Sequence, residues 1–265
     1  MRVIFRLGHR TALTGAGSKK EMNIALIMPV LNCLDYTKQF LNTLTGGVNL
    51  KMILINNGST DGTKEYFNSL RGSFNTIIFN FKENIGVSGA WNFGIYHAIH
   101  KLDCSYFLVV NNDIIIHPEA VKIMMQTLKP PEVVMATATN VSGKIPIAED
   151  ILKIPLPEKE ELTECPDFSC FMVKNETIDK VGWFDEKFYP AYFEDNDYHY
   201  RIKLAGLLAY KNSRALYYHF GSRTIKESEE VKTKCNIGYS VNREYYKEKW
   251  GGEPGKETFR TPFNK

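Results

Sequence analysis

The 265-residue sequence lacks the features that mark several large classes of protein. No apolar run approaches the length of a membrane span, roughly 18 residues. The five cysteines are odd in number and scattered, so they suit neither a disulfide framework nor a CxxC zinc site, and we expect reduced thiols. The net charge is only +3, so an anionic partner has to be argued from a particular site. We therefore expect a soluble, globular, cytoplasmic protein.

Several catalytic motifs are also missing from the sequence. Gly86-Val87-Ser88-Gly89 lacks the GxGxxG spacing of dinucleotide-binding proteins, and there is no P-loop and no HExxH. Ser59 and Ser88 lack the local pattern of a nucleophile elbow. These gaps disfavour dehydrogenases, P-loop nucleotide hydrolases, zinc proteases and serine hydrolases.

Three segments differ in character along the chain. Residues 1–21 are basic around a Thr/Gly/Ala/Ser-rich centre without periodicity, which predicts an inert arm or tag-like segment. A weak association of this arm with the inner face of a membrane stays open. Regular patterning fills residues 22–224. Residues 225–265 are predicted to form an amphipathic helix and a loose tail.

Apolar runs and helical stripes alternate over the first hundred residues of the patterned region. The runs 24–28, 52–55, 76–81 and 106–110 read as buried strands, and each is followed by a segment of helical periodicity. This alternation predicts βαβ units, and hence an α/β fold with a mostly parallel central sheet flanked by helices. Between residues 142 and 167 four prolines and a charged run predict a long surface loop.

Polar side chains follow the predicted strands at the point where each one ends. Asn32, Asn57, Asn84 and Asp113 all occupy such positions. Parallel sheets bind ligands beyond the carboxyl ends of their strands. The sequence therefore predicts a ligand site at this edge of the sheet.

The segment Asn111-Asn112-Asp113 is the strongest single candidate for chemistry. A carboxylate at the end of a buried strand is placed to hold a hard divalent cation, which takes one or two carboxylates together with phosphate oxygens and water. The alternative is an Asn/Asp turn that only caps the next helix.

Two further candidates lie in the second half of the chain. Glu194 and Asp195 begin a predicted helix, where acidic residues either favour the helix dipole or supply a general base. The aromatic residues before them, including Trp183 and Tyr192, suit either an acceptor sugar or a core. His219 ends a predicted strand and could complete a metal site if the fold brings it to Asp113.

In their order along the chain, these motifs resemble those of the family 2 glycosyltransferases with the GT-A fold, in particular rhamnosyltransferase-like enzymes of bacterial or viral surface glycans. The resemblance covers about residues 23–251. It rests on eight segments in sequence order, which are 27–32, 55–63, 84–94, 111–113, 182–185, 194–197, 219–222 and 242–251.

The resemblance implies an inverting transfer of a sugar from a nucleotide-diphosphate donor to a hydroxyl, with 22–224 as the catalytic domain. It implies that Asp195 is the catalytic base with Glu194 beside it on the acceptor, and that Asp113 and His219 bind Mn²⁺ or Mg²⁺. The implied donor-binding residues are Pro29, Leu31, Asn32, Asn57, Asn84, Asn111, Asn112 and Asp113, and the acceptor contacts are Trp183, Tyr192 and Glu194. The implied partners are a UDP- or dTDP-linked donor and a saccharide or lipid-linked saccharide. No nucleic acid is expected, and a homodimer stays open.

The sequence departs from the family pattern at two positions. Asn111 replaces the first carboxylate of the DxD motif, and Trp91 replaces a basic residue that often contacts the diphosphate. That contact is then either missing or supplied by Arg201, Lys203 or Arg223. Two other functions remain as alternatives, a nucleotidyltransferase and a non-catalytic binder of sugar nucleotides or glycans. The acidic pair at the predicted helix start argues against a pure binder.

Overall fold

A computed structural model describes residues 23–44, 49–72, 75–144, 147–221 and 229–265. Within these ranges the chain forms one sheet with helices on both faces, which confirms the expected α/β class. The strands are β1 (Ile24–Val30), β2 (Leu50–Asn57), β3 (Thr76–Phe81), β4 (Tyr106–Val110), β5 (Ile114–Ile116), β6 (Val133–Asn140), β7 (Leu162–Thr163), β8 (Cys170–Lys174) and β9 (Leu208–His219). The helices are α1 (Leu34–Thr43), α2 (Thr63–Ser69), α3 (Val87–His100), α4 (Ala120–Thr127), α5 (Asn175–Val181), α6 (Glu194–Leu204) and α7 (Glu229–Trp250).

The first half of the sheet is parallel, in the order β3-β2-β1-β4. Its strands are the apolar runs identified in the sequence, and β1 is buried along nearly its whole length because helices cover both faces. In a parallel register all four strands end at one edge. The polar residues that follow them are thereby gathered together.

The second half of the sheet is mixed. It continues from β4 through β8, β6 and β9 to β5, with only the β6–β9 pair parallel. Strand β5 was not predicted, although its three isoleucines are all buried, because a three-residue run is too short for a periodicity signal. Its pairing with β9 places Ile114 opposite His219.

The two faces of the sheet carry separate cores. One packs under α1, α2 and α4 and contains Phe40, Phe67 and Met124. The other packs under α3 and α6 and contains Trp91 and Tyr198. Residues of β1, β2, β4 and β8 alternate between the two cores, so these strands are anchored from both sides.

Two segments are more ordered than the sequence suggested. The predicted loop 142–167 contains a 3₁₀ turn, Ala148–Leu152, whose Ile151 is fully buried, and the two-residue strand β7. The predicted loose tail folds back on α7, where the backbone amides of Thr258 and Phe259 both donate to the carbonyl of Trp250 at 3.0 Å. Tyr200 Oη of α6 also donates to the carbonyl of Phe259 at 2.8 Å.

Some predictions concern residues outside the described ranges. These are the basic arm 1–21 and the candidate diphosphate contact Arg223. Within the described ranges, no helix is both long enough and apolar enough to cross a membrane. No disulfide joins any of the five cysteines, all of which are described.

Helix α3 approaches the sheet most closely at Gly94. A Cβ atom there would lie 2.3 Å from Cγ2 of Ile27 and 3.2 Å from Cδ1 of Ile55, both in buried strands. At Gly89 of the same helix a Cβ would meet only side-chain atoms of Ile85, at 3.6 Å or more. We expect Gly94→Ala to lower the free energy of unfolding by about 1–3 kcal/mol through overpacking.

The matched change Gly89→Ala should leave that free energy unchanged or raise it slightly, because alanine favours helix over glycine. Urea denaturation of both variants measures the difference. Equal destabilisation by the two changes would contradict the close packing of α3 on β1 and β2.

Candidate functional site

A cavity of about 930 Å³ opens over the carboxyl ends of β1, β2 and β4. Of the residues implied for the donor, the metal, the base and the acceptor, all except Trp183 line it, namely Pro29, Leu31, Asn32, Asn57, Asn84, Asn111, Asn112, Asp113, Tyr192, Glu194, Asp195 and His219. Asp113 and Asp195, about eighty positions apart in the sequence, therefore border the same space.

The wall after β2 is held by the amide of Asn57. Its Oδ1 accepts the Ile85 amide at 2.9 Å, and its Nδ2 donates to Asn84 Oδ1 at 2.9 Å. Gly58 has a φ of 88°, and a Cβ there would lie 2.8 Å from the backbone nitrogen of Asn84. Glycine at this position thus lets the loop before α3 close against the end of β2.

The loops after β1 and β2 are tied together by short polar side chains. Asn32, at a φ of 61°, accepts the Thr60 amide at 2.8 Å and gives its own amide to Ser59 Oγ at 2.8 Å. Ser59 Oγ also donates to the carbonyl of Val30 at 3.2 Å. The Ser59 hydroxyl is therefore a structural link, consistent with the absence of a nucleophile motif.

Asn112 also uses its amide nitrogen within the fold. The Nδ2 atom donates to Thr37 Oγ1 at 3.0 Å and to the carbonyl of Asn32 at 3.2 Å, and the residue is buried. This anchors the end of β4 to the start of α1 and leaves the side-chain oxygen as its remaining polar atom.

Asp113 and His219 form a pair at the floor of the cavity. Antiparallel pairing of β5 with β9 brings them together, and His219 Nε2 lies 3.1 Å from Asp113 Oδ1. Asp113 is 4% exposed. In the described ranges no cluster of three or more His, Cys, Asp or Glu side chains is placed to hold a metal. One carboxylate with one imidazole fits a cation that takes its other ligands from phosphate and water.

The acidic pair lies in the first turn of α6. Glu194 is 6% exposed, and its Oε2 is buried without a hydrogen-bond partner. Burial, reinforced by the neighbouring Asp195 charge, raises the pKa of Glu194 to about 8. Burial also raises the pKa of Asp195, whose Oδ1 accepts the Asn196 amide at 2.8 Å. At neutral pH Glu194 is thus a neutral acid beside a second carboxyl group.

Trp183 lies outside the cavity. Its ring lies 6.5 Å from that of Tyr96 on α3, where it packs, partly buried, against the core beneath that helix. The acceptor contact implied for Trp183 therefore stays a prediction, to which this position lends no support.

Arg201 is also unsuited to the diphosphate contact suggested for it. Its guanidinium binds Asp197 Oδ2 at 2.9 Å and the carbonyls of Val181 and Trp183 at 2.8 and 2.9 Å. Lys203 is exposed and does not line the cavity.

The sequence interpretation missed other residues that line the cavity. Lys211 of β9, Lys234 and Cys235 of α7, and residues 165–169 all border it. Residues of β9 and α7 come from parts of the chain far from the parallel strands, so no local sequence pattern marks them as cavity residues. The run Pro166-Asp167-Phe168-Ser169 could have been noticed, since it leads directly into the apolar strand β8.

Comparison with known proteins identifies the family of the chain. The model of the family described as "Glycosyl transferase family 2" matches residues 25–175, more than half of the chain. The chain therefore belongs to glycosyl transferase family 2. It is 32% identical over 85 residues to a galactofuranosyl glycosyltransferase of Leishmania donovani, a match that covers 32% of this chain and 19% of that protein.

Solved structures of low sequence identity share the fold. A mannosyltransferase of Pyrobaculum calidifontis, PcManGT in complex with GDP-Man and Mn²⁺, aligns with a TM-score of 0.57 at 13% identity over 77% of this chain and 59% of that one. S. aureus TarS 1-349 in complex with UDP aligns with a TM-score of 0.57 at 17% identity over 85% and 72%. The chain thus spans about a fifth of the curated relative and three fifths of the mannosyltransferase. These likenesses confirm the GT-A fold.

The raised pKa of Glu194 makes stability depend on pH. The folded chain keeps the Glu194 proton up to about pH 8, whereas the unfolded chain loses it near the ordinary value of 4.5. The contribution of the Glu194 proton to the free energy of unfolding is therefore fully present below pH 4.5 and is lost as the pH rises towards 8. Each unit of pKa difference corresponds to about 1.4 kcal/mol, so the loss amounts to several kcal/mol.

We expect Glu194→Gln, which cannot ionise, to weaken this fall in stability between about pH 5 and pH 8.5. Thermal unfolding across that range measures it, with the exposed Glu244→Gln of α7 as the control. A Glu194→Gln profile parallel to that of the wild type would contradict the buried, neutral acid.

Proposed function

We propose that this chain is an inverting glycosyltransferase that moves a sugar from a nucleoside-diphosphate donor to a hydroxyl of a saccharide acceptor. One observation carries the proposal. In a chain of glycosyl transferase family 2, the Asp113–His219 pair and the Glu194–Asp195 pair border a single cavity at the carboxyl ends of the parallel strands.

The donor's nucleotide would occupy the end of the cavity lined by Pro29, Leu31, Asn57 and Asn84. The complexes of the similar structures contain GDP-Man, UDP and UDP-GlcNAc, which supports a nucleoside diphosphate as the shared element. The sequence relative is named a galactofuranosyl glycosyltransferase. UDP-galactofuranose and dTDP-rhamnose are therefore the first donors to test.

Asp113 and His219 would hold Mn²⁺ or Mg²⁺ beside the diphosphate, which supports the implied metal dependence. Held by these two side chains, the cation would supply Lewis-acid stabilisation of the charge on the leaving diphosphate. Lys211 of β9 and Lys234 of α7 line the same cavity.

Asp195 is the better general base of the acidic pair. Glu194 is protonated at neutral pH, since its pKa is about 8, so it cannot accept a proton until the solution is alkaline. A neutral Glu194 can instead donate a hydrogen bond to the acceptor without adding a second negative charge beside Asp195. Asp195 would take the proton of the attacking hydroxyl as the bond to the diphosphate breaks, and this single displacement inverts the anomeric carbon.

We expect Asp195→Asn to lower kcat by about 10²–10⁴, because the amide cannot accept the acceptor's proton. Donor affinity should stay close to that of the wild type. Steady-state assays and isothermal titration calorimetry with the donor separate the two effects. Turnover within about tenfold of the wild type would contradict the base assignment.

Asp113→Ala, unlike Asp195→Asn, should weaken donor binding. Removal of the carboxylate is expected to abolish the stimulation of nucleotide binding by Mn²⁺, because the cation loses its one buried acidic ligand. Calorimetry with UDP, with and without Mn²⁺, measures this. The control is Asp35→Asn, which removes an exposed carboxylate from α1. Unchanged Mn²⁺ dependence in Asp113→Ala would contradict the metal assignment.

A further inference from the structure

A second, smaller cavity of about 290 Å³ lies next to the first. Tyr192 and Asp195 line both cavities, whereas Asn196, Tyr239 and Arg243 line only the second. Asp195 therefore borders both spaces. In the proposed reaction a base has to contact the attacking hydroxyl while the donor sugar lies on its other side.

We propose that this second cavity is the acceptor subsite and that it takes a neutral sugar ring. The inference rests on the proposed function, because it assigns the donor to the larger cavity. A volume of about 290 Å³ is near the lower end of ligand pockets, about 300 Å³, which suits one ring better than a long chain.

The wall between the cavities is built from strained backbone. Tyr192 and Phe193, consecutive and neither of them glycine, have φ angles of 80° and 72°. Asn242 of α7, 1% exposed, donates through Nδ2 to the carbonyls of Ala191 at 2.9 Å and Tyr192 at 3.1 Å. Such conformations persist only where the surroundings fix them, and they concentrate at functional sites. Asn242 thus holds Tyr192 in place beside Asp195.

Two tyrosines give the cavity an aromatic side. The ring centroids of Tyr192 and Tyr239 lie 5.4 Å apart, with an angle of 76° between the ring planes. The side chain of Tyr239, on α7, is 47% exposed. Tyrosine offers an apolar ring face together with a hydroxyl, a combination that suits the C–H face and the hydroxyls of a sugar.

The charges favour a neutral acceptor over an anionic one. Arg243 is paired with Glu253 through two contacts, Nη2 to Oε1 at 2.8 Å and Nε to Oε2 at 3.2 Å. That pair is neutral as a unit, and Asp195 adds a negative charge. A phosphate or carboxylate on the acceptor would therefore be repelled next to the base.

The test uses p-nitrophenyl glycosides as acceptors with a donor that binds in the presence of Mn²⁺. We expect Tyr239→Ala to raise the acceptor KM by about tenfold or more, because it removes the ring. Tyr239→Phe, which keeps the ring, should recover most of the affinity. The control Val241→Ala changes a 60% exposed residue of the same helix that lines neither cavity, and it should behave like the wild type.

A matched pair of probes tests the charge argument. The β-glucoside and the β-glucuronide differ in one carboxylate, as do the β-galactoside and the β-galacturonide. We expect saturation-transfer NMR to detect the neutral member of at least one pair on the UDP-bound protein, with the acidic member bound more weakly. Equal or tighter binding of the acidic members would overturn the neutral-acceptor assignment.

The outcomes separate this inference from the proposed function. If no nucleotide sugar binds in the presence of Mn²⁺, the proposed function fails. If a donor binds and is slowly hydrolysed, but no glycoside accepts the sugar or Tyr239→Ala leaves the acceptor KM unchanged, then the acceptor subsite alone is wrong.

Discussion

The candidate site depends on one buried carboxylate, that of Asp197 in α6. It is fully buried, and its oxygens contact Lys249 Nζ at 2.6 Å, Trp250 Nε1 at 2.8 Å and Arg201 Nε at 2.9 Å. Loss of one partner of a buried ion pair costs about 3–5 kcal/mol, since the other charge stays desolvated. Helix α7 is therefore fixed against α6. These contacts also fix the position of the first turn of α6, which carries Asp195.

The same helix α7 then shapes the space around the acidic pair. Lys249 also contacts Asp185 Oδ2 at 2.7 Å, so the loop before α6 is tied to α7 as well. Nearer its N-terminus, α7 supplies Asn242 to the strained segment and lines both cavities. At Gly238 a Cβ would lie 2.5 Å from Cδ of Pro190, so the helix packs closely there. The C-terminal helix is thus part of the site's wall, although the sequence analysis placed it outside the catalytic domain 22–224.

The parallel half of the fold could be predicted from the sequence because each buried strand is a continuous apolar run with its polar residues at one end. Asn57, Asn84 and Asp113 were found in that way. The mixed half could not be predicted, because the β5–β9 pairing that brings Asp113 to His219 links residues 106 positions apart. The position of Trp183 outside the cavity could not be predicted either, because an aromatic residue before the acidic helix gives the same sequence pattern in a core as in a cleft. The second cavity needs α7 docked on α6, which no local pattern encodes.

The central claim is that one nucleotide sugar lies between Asp113 and Asp195, and a structure of the complex tests it most directly. We expect crystals grown with Mn²⁺ and an unreactive nucleotide sugar to show the diphosphate at Asp113 and His219. The anomeric carbon should face Asp195, with room for one hydroxyl oxygen between them. A donor bound in the second cavity, or a sugar turned away from Asp195, would contradict the account.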